Sequence, residues 1–242
     1  MCKLDNANLY KQILALIAMV YQPITLRELT SLIEVLEDMF DDLESLKGII
    51  SLCGSFLTIR KDVVYFVHQS AKDYLFKEAF DKIFPSRGEL HYMIFSRSLE
   101  VMSRTLRRDI YSLRAFGYPI EQVKQPDPDP LLAIRYLCIH WVNHLYDWNS
   151  TSYICYRDNL QASSMVDIFI RKKYLYWLEA LSLYRSMSEG VLSIAKLEAI
   201  VQVFLRLIYY LYMVYTNIIL GGTRFTPINR PSSRYTPIYY IS

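Results

Sequence analysis

One switch of hydrophobic period constrains this chain more than any other feature. Up to residue 53 apolar side chains recur at helical spacing; over 55–67 they run as in strands. Leu9, Ile13, Leu14, Leu16, Ile17 and Val20 share one face and predict a helix over 7–21, stopped by Pro23. Thr25 and Glu28 make the T-L-R-E pattern of a capping box, which opens a helix over 26–36. Leu43, Leu46, Ile49, Ile50 and Cys53 predict a third helix over 39–53, with Gly54 at its C′ position. Residues 55–59 and 63–67 read as two strands joined by the polar turn Arg60-Lys61-Asp62. Helix resumes with Ser70 as N-cap and Asp73 in the first turn, where a carboxylate complements the dipole. Tyr74, Leu75 and Phe76 are its apolar anchors.

Three helices, a hairpin and a helix follow one another in the order of a winged-helix domain, which closes near residue 84. Residues 85–88 break the pattern and a helix over 89–107 follows. Alternating Pro in Gln125-Pro126-Asp127-Pro128-Asp129-Pro130 suits neither a helix nor a central strand. Residues 115–130 therefore read as a stiff, extended connector. Asp129 is expected to cap the next helix, with Pro130 at its first position, and that helix runs to about 147. Residues 148–163 look polar and irregular. A helix over 165–187 presents Tyr174, Trp177, Leu178 and Leu181 as a core face, and another begins near Val191. The fold expected is mainly α: a winged helix with a small β-hairpin over 1–84, then an α-helical domain over 85–200.

The last forty residues differ in kind. From Val203 onward there are four Arg, no acid and seven of the 21 Tyr. The stretch 200–220 allows three readings: a tail of non-native origin, a buried helix or a membrane anchor. Gln202 and Arg206, costly inside a bilayer, weigh against the anchor. The remainder to 242 has no period and reads as disordered.

Composition narrows the function. The chain of 242 residues has only seven Gly and neither a GxxxxGK[ST] nor a GxGxxG motif, which excludes a self-contained nucleotide-hydrolysing domain. Residues 1–84 carry 9 Lys+Arg against 12 Asp+Glu, and the stretch 38–53, where a recognition helix would lie, holds Asp38, Asp41, Asp42 and Glu44 against Lys47. A recognition helix of that charge would be repelled by phosphates, so no nucleic-acid partner is expected. Cys2, Cys53, Cys138 and Cys155 are scattered without CxxC spacing, as in reduced, cytoplasmic chains, and the N-terminus lacks the basic start of a secretory signal. His140 and His144 share a helix face at i, i+4, yet Trp141 stands where a zinc protease needs Glu, so no metal site is expected. Asp127 and Asp129 lie in a solvated, Pro-locked segment and make no acid–base pair. With no GxSxG elbow either, the chain is expected to have no catalytic residues and no enzymatic activity.

VYQPITLREL at 20–29, CGSFLTIRKDVVYFVHQSAKDYL at 53–75 and LRRDIYSLRAFGYPIEQVKQPDPDPLLAIRYLCIHWVNHL at 106–145 carry a resemblance, as does 170–200. Together they resemble the region after the NACHT nucleotide-binding core of fungal NOD-like STAND proteins, the heterokaryon (vegetative) incompatibility proteins among them. The first two also resemble the winged helix of GPI inositol-deacylase-like proteins. The resemblance covers about 8–200 and stops near Gln202; a P-loop core that precedes this segment in the family is absent here. The expectation is of a fragment, or of an aberrant gene product with a foreign tail.

What the resemblance implies is signal transduction: a module packed on a NACHT core, in cis or in trans, that couples ADP/ATP state to exposure of an effector. The nucleotide would sit on that core, and this chain would hold no cofactor itself. His68, in VHQSAKDYL, matches the family's winged-helix histidine that reaches the ADP phosphates and locks the closed state. Read from the residues alone, His68 caps or orients the helix beginning at Ser70, and Gln69, Ser70 and Asp73 are structural. Two other readings stay open: a free-standing interaction module, and a small membrane-anchored protein using 200–220.

Overall fold

A computed structural model describes residues 3–80, 84–114, 118–151 and 156–200. The apolar stretch over 200–220, save Ile200 itself, lies outside the described residues, as do the tail to 242, Cys2, Cys155 and the connector's first residues, 115–117.

The fold is mainly α with one small antiparallel sheet. Helix α1 (Lys3–Met19) buries Ile13, Leu16 and Ile17. After Pro23 the chain enters β1 (Ile24–Thr25), α2 (Leu26–Leu32), a 3-10 turn (Glu34–Met39) and α3 (Leu43–Ser51). The second predicted helix is thus shorter than 26–36, because Ile33 turns extended and the chain tightens into the 3-10 turn. The third starts at Leu43 instead of 39: the Asp42 carboxylate accepts from the Ser45 N–H at 3.1 Å and fixes the start there. Gly54 follows α3 in a turn whose tightness it permits, since a Cβ there would lie 2.8 Å from the Ser51 carbonyl oxygen.

The hairpin is β2 (Leu57–Arg60) and β3 (Val63–Phe66), registered Thr58 to Tyr65 and Arg60 to Val63. Lys61 and Asp62 both take positive φ, 50° and 61°. A two-residue turn of that hand matches the twist of the strands it joins. Strand β1, not foreseen from the sequence, pairs with β3, so the sheet runs β1-β3-β2.

Helix α4 (Gln69–Tyr74) runs into a π turn (Leu75–Ala79). Of its predicted anchors Leu75 is buried, while Tyr74 is 56% exposed. Ser86 and Glu89 form a second capping box at the head of α5 (Arg87–Thr105), which buries Leu90, Ile94, Phe95, Leu99 and Met102. The connector contains a 3-10 turn (Ile120–Gln122) and ends at Asp129.

Next come α6 (Arg135–Thr151), α7 (Tyr156–Leu183) and α8, a helix over 187–200. The polar stretch 148–163 is therefore helical on both sides of 152–155. It holds no Pro or Gly, and polarity there opposes burial, not helix formation. Trp141 on α6 and Trp177 on α7 meet edge to face at 5.6 Å, both fully buried, and the Trp177 indole N–H donates to the Cys138 carbonyl at 2.8 Å. Residues 1–200 make one compact unit, so the winged helix and the helices after it share a core.

Candidate functional site

The polar groups that the fold buries gather where the winged helix meets α5 and α6. Glu28 lies on the core side of α2, only 5% exposed. Its Oε2 accepts from the Thr25 N–H at 2.7 Å and the Thr25 hydroxyl at 2.9 Å, and the Thr25 Oγ1 accepts from the Glu28 N–H at 3.2 Å. Its Oε1 accepts from the Tyr136 N–H at 2.9 Å. Tyr136 is the second residue of α6, so one carboxylate serves the open ends of two helices 108 residues apart. A buried charge is tolerable only with donors of this kind around it.

Arg97 of α5 is a second tie. Its Nε donates to the Ser31 carbonyl at the end of α2 at 3.0 Å, and its guanidinium pairs with Glu37 of the 3-10 turn and, at 3.0 Å, with Glu100. Arg104 reaches the same Glu37. The hydrogen bond from Arg104, helped by the charge of Arg97, holds the Glu37 carboxyl below the usual carboxylate range.

Tyr21, in the turn between α1 and β1, is the third. Its backbone N–H donates to the Tyr136 Oη at 3.2 Å and its hydroxyl donates to Asp147 Oδ2 at 2.6 Å. Its ring lies 4.7 Å from that of His144. The Tyr136 Oη contacts His144 Nε2 at 2.7 Å, and His144 Nδ1 contacts His91 Nδ1 at 2.9 Å. Burial lowers the pKa of all three histidines here: His140 to about 4, His144 well below its usual value with His91 and His140 adding to the effect, and His91 downward against the pull of Asp147.

The residues singled out from the sequence fall in different places. Thr25 and Glu28 form the capping box. Asp129 does not cap α6: its Oδ1 accepts from the Leu131 N–H at 2.9 Å and from the Tyr111 hydroxyl. A carboxylate bonded two residues ahead closes a local turn, and the i to i+3 bonds over 129–134 give way to α-helical ones only at Cys138. Ser70 is not an N-cap, because α4 already begins at Gln69. His68 holds that position with extended backbone, its carbonyl accepting from the Ala71 N–H at 3.1 Å and its imidazole making no cap bond. Asp73 consequently lies in the second turn, where it accepts from Gln69 at 3.0 Å. His68 is exposed at the β3–α4 junction.

His140 and His144 do share a face of α6, but both nitrogens of His144 are engaged by Tyr136 and His91. Among the described residues no group of three or more His, Cys, Asp or Glu is placed to hold a metal ion. Sequence reasoning did not pick out Tyr21, His91, Arg97 or the second bond of Glu28. One signal was present: the Ser86–Glu89 capping box starts a helix on which His91 falls among the buried Leu90, Ile94 and Phe95, so its imidazole needs a buried partner.

The family model described as the winged helix domain of GPI inositol-deacylase matches residues 1–85. The segment is a winged helix of that type. The vegetative incompatibility protein HET-E-1 of Podospora anserina is 50% identical over 209 residues, which make up 81% of this chain. They make up 15% of that protein, so the chain spans a small part of the length of the curated relative it matches. No solved structure matches the chain. Both matches agree with the resemblance to the winged-helix region associated with fungal NACHT proteins. No described helix is long and apolar enough to cross a membrane.

Proposed function

We propose that this chain is the non-catalytic regulatory part of a NACHT-type vegetative incompatibility protein, in which the winged helix and α5–α8 move as one body against a nucleotide-binding core. The observation that carries the reading is the 50% identity to HET-E-1 across 81% of the chain. The ties from Glu28, Arg97 and Tyr21 support it, because they make the winged helix and the helical region a single lever. On this reading ADP or ATP binds the core, in cis or in trans, and His68 reaches the ADP phosphates from the β3–α4 junction. Its exposure suits that role, since an imidazole without a bond inside its own helix cap is available to a docked partner. The whole is a cytoplasmic signalling device with no cofactor of its own.

The test is to join the chain to a NACHT core and follow ADP release. One charge-assisted bond to phosphate contributes about 1.5–3 kcal/mol, so His68→Ala should speed release about tenfold or more. An unchanged off-rate overturns the sensor role.

A further inference from the structure

Tyr21, Tyr136, His144, His91 and Asp147 close a ring whose proton order can be worked out. The Tyr21 N–H occupies the Tyr136 oxygen as an acceptor, at 3.2 Å. The Tyr136 hydroxyl proton then points to His144 Nε2, at 2.7 Å. A neutral His144 that accepts at Nε2 carries its proton on Nδ1 and donates it to His91 Nδ1, at 2.9 Å. His91 therefore carries its own proton on Nε2, which faces Asp147 Oδ2 at 4.0 Å. That same Oδ2 accepts from the Tyr21 hydroxyl at 2.6 Å. The reverse order fails at both ends: it leaves the Tyr136 O–H without an acceptor in the ring and turns a bare His91 nitrogen toward a carboxylate. Tyr21 holds both ends of the ring, by its amide and by its hydroxyl.

We propose that this ring is a proton-operated latch: a proton taken up at His91 Nδ1 either sets N–H against N–H across the His91–His144 contact or, with His144 in its other tautomer, drives the Tyr136 O–H out of the ring; both disturb the Tyr136 oxygen that holds the Tyr21 N–H, loosening the winged helix from α5 and α6. Burial opposes the charged form of both imidazoles; His91 takes the proton first because it is the ring's histidine beside a carboxylate, and Asp147 of α6 favours its charged form while Arg87 of its own helix opposes it. His144 faces His91, Tyr136 and the Tyr21 ring, with His140 a turn away. His140 faces Glu189 and Lys196 of α8 and stands outside the ring. The proposal does not depend on the nucleotide-core reading, since every group belongs to this chain.

The test uses the full chain. At pH 7.5, nitrogen NMR of the histidines should show the proton on Nδ1 of His144 and Nε2 of His91; the opposite tautomers overturn the proposal. Amide exchange, corrected for the intrinsic pH dependence, should show protection of the Tyr21 N–H falling about tenfold or more from pH 7.5 to 5.5. The Cys138 amide, bonded to the Ile134 carbonyl at the head of α6, should keep its protection over that range. His91→Asn keeps an acceptor near the Nδ1 position yet takes up no proton, and should hold Tyr21 protected at pH 5.5. Equal loss at both amides, or the same loss in His91→Asn, overturns the latch. If that variant does not fold, the tautomers and the two wild-type amides still decide.

Discussion

The chain treats its histidines in two ways. His91 and His144 are bonded to each other inside the core, 7% and 0% exposed, while His68 stands exposed at the β3–α4 junction with no side-chain bond to the helix it precedes. A buried imidazole must satisfy its nitrogens within the fold, so its neighbours dictate tautomer and charge. An exposed one carries no such obligation. The contrast separates residues whose substitution should cost folding from one whose substitution should cost an exchange with a partner.

The sharpest test of the buried side is Glu28→Ala. It strips the N–H groups of Thr25 and Tyr136 of their acceptor and should cost about 3 kcal/mol in urea unfolding, with Glu28→Gln regaining part of it. Acid should reveal the same side. A histidine whose folded pKa lies below its unfolded value stabilises fully above about 6.5, and that stability is lost as pH falls toward the folded value. With His140 at about 4 and His91 and His144 also lowered, unfolding free energy should decline from pH 6.5 to about 4. A flat profile there would mean that these rings are not held neutral. Tyr136→Phe deletes one hydroxyl shared by Tyr21 and His144 and should lower stability by about 1–3 kcal/mol. Arg104→Ala breaks an ion pair that is half exposed, and thermal melting should register less than about 1 kcal/mol. Smallest of all, His68→Ala should leave stability within about 0.5 kcal/mol of wild type, since surface changes rarely do more. A larger loss would erase the contrast.

What the sequence disclosed was local. The helix–hairpin–helix order and the Thr25–Glu28 box depend on residues a few positions apart, and both stand in the structure. The starts of α3, α4 and α6 were misplaced by a few residues. In each case a particular group decides: the Asp42 carboxylate, the extended backbone of His68, the Asp129 turn. Strand β1 escaped notice because two residues carry no period. The i, i+4 pair His140 and His144 raised the question of a metal, yet the partner of His144 lies 53 residues upstream on another helix. Tyr21 meets Asp147 across 126 residues, and no periodicity within a helix encodes such a meeting.

The double duty of Glu28 has a practical edge. The family match closes at residue 85, and a protein engineer would naturally cut there. A peptide ending at that point would keep the carboxylate but lose the Tyr136 amide that receives it, together with the helices that cover α2 and anchor Tyr21. The border of the family match and the border of independent folding should therefore not coincide, and a cut at 85 should yield a piece that exposes what was core.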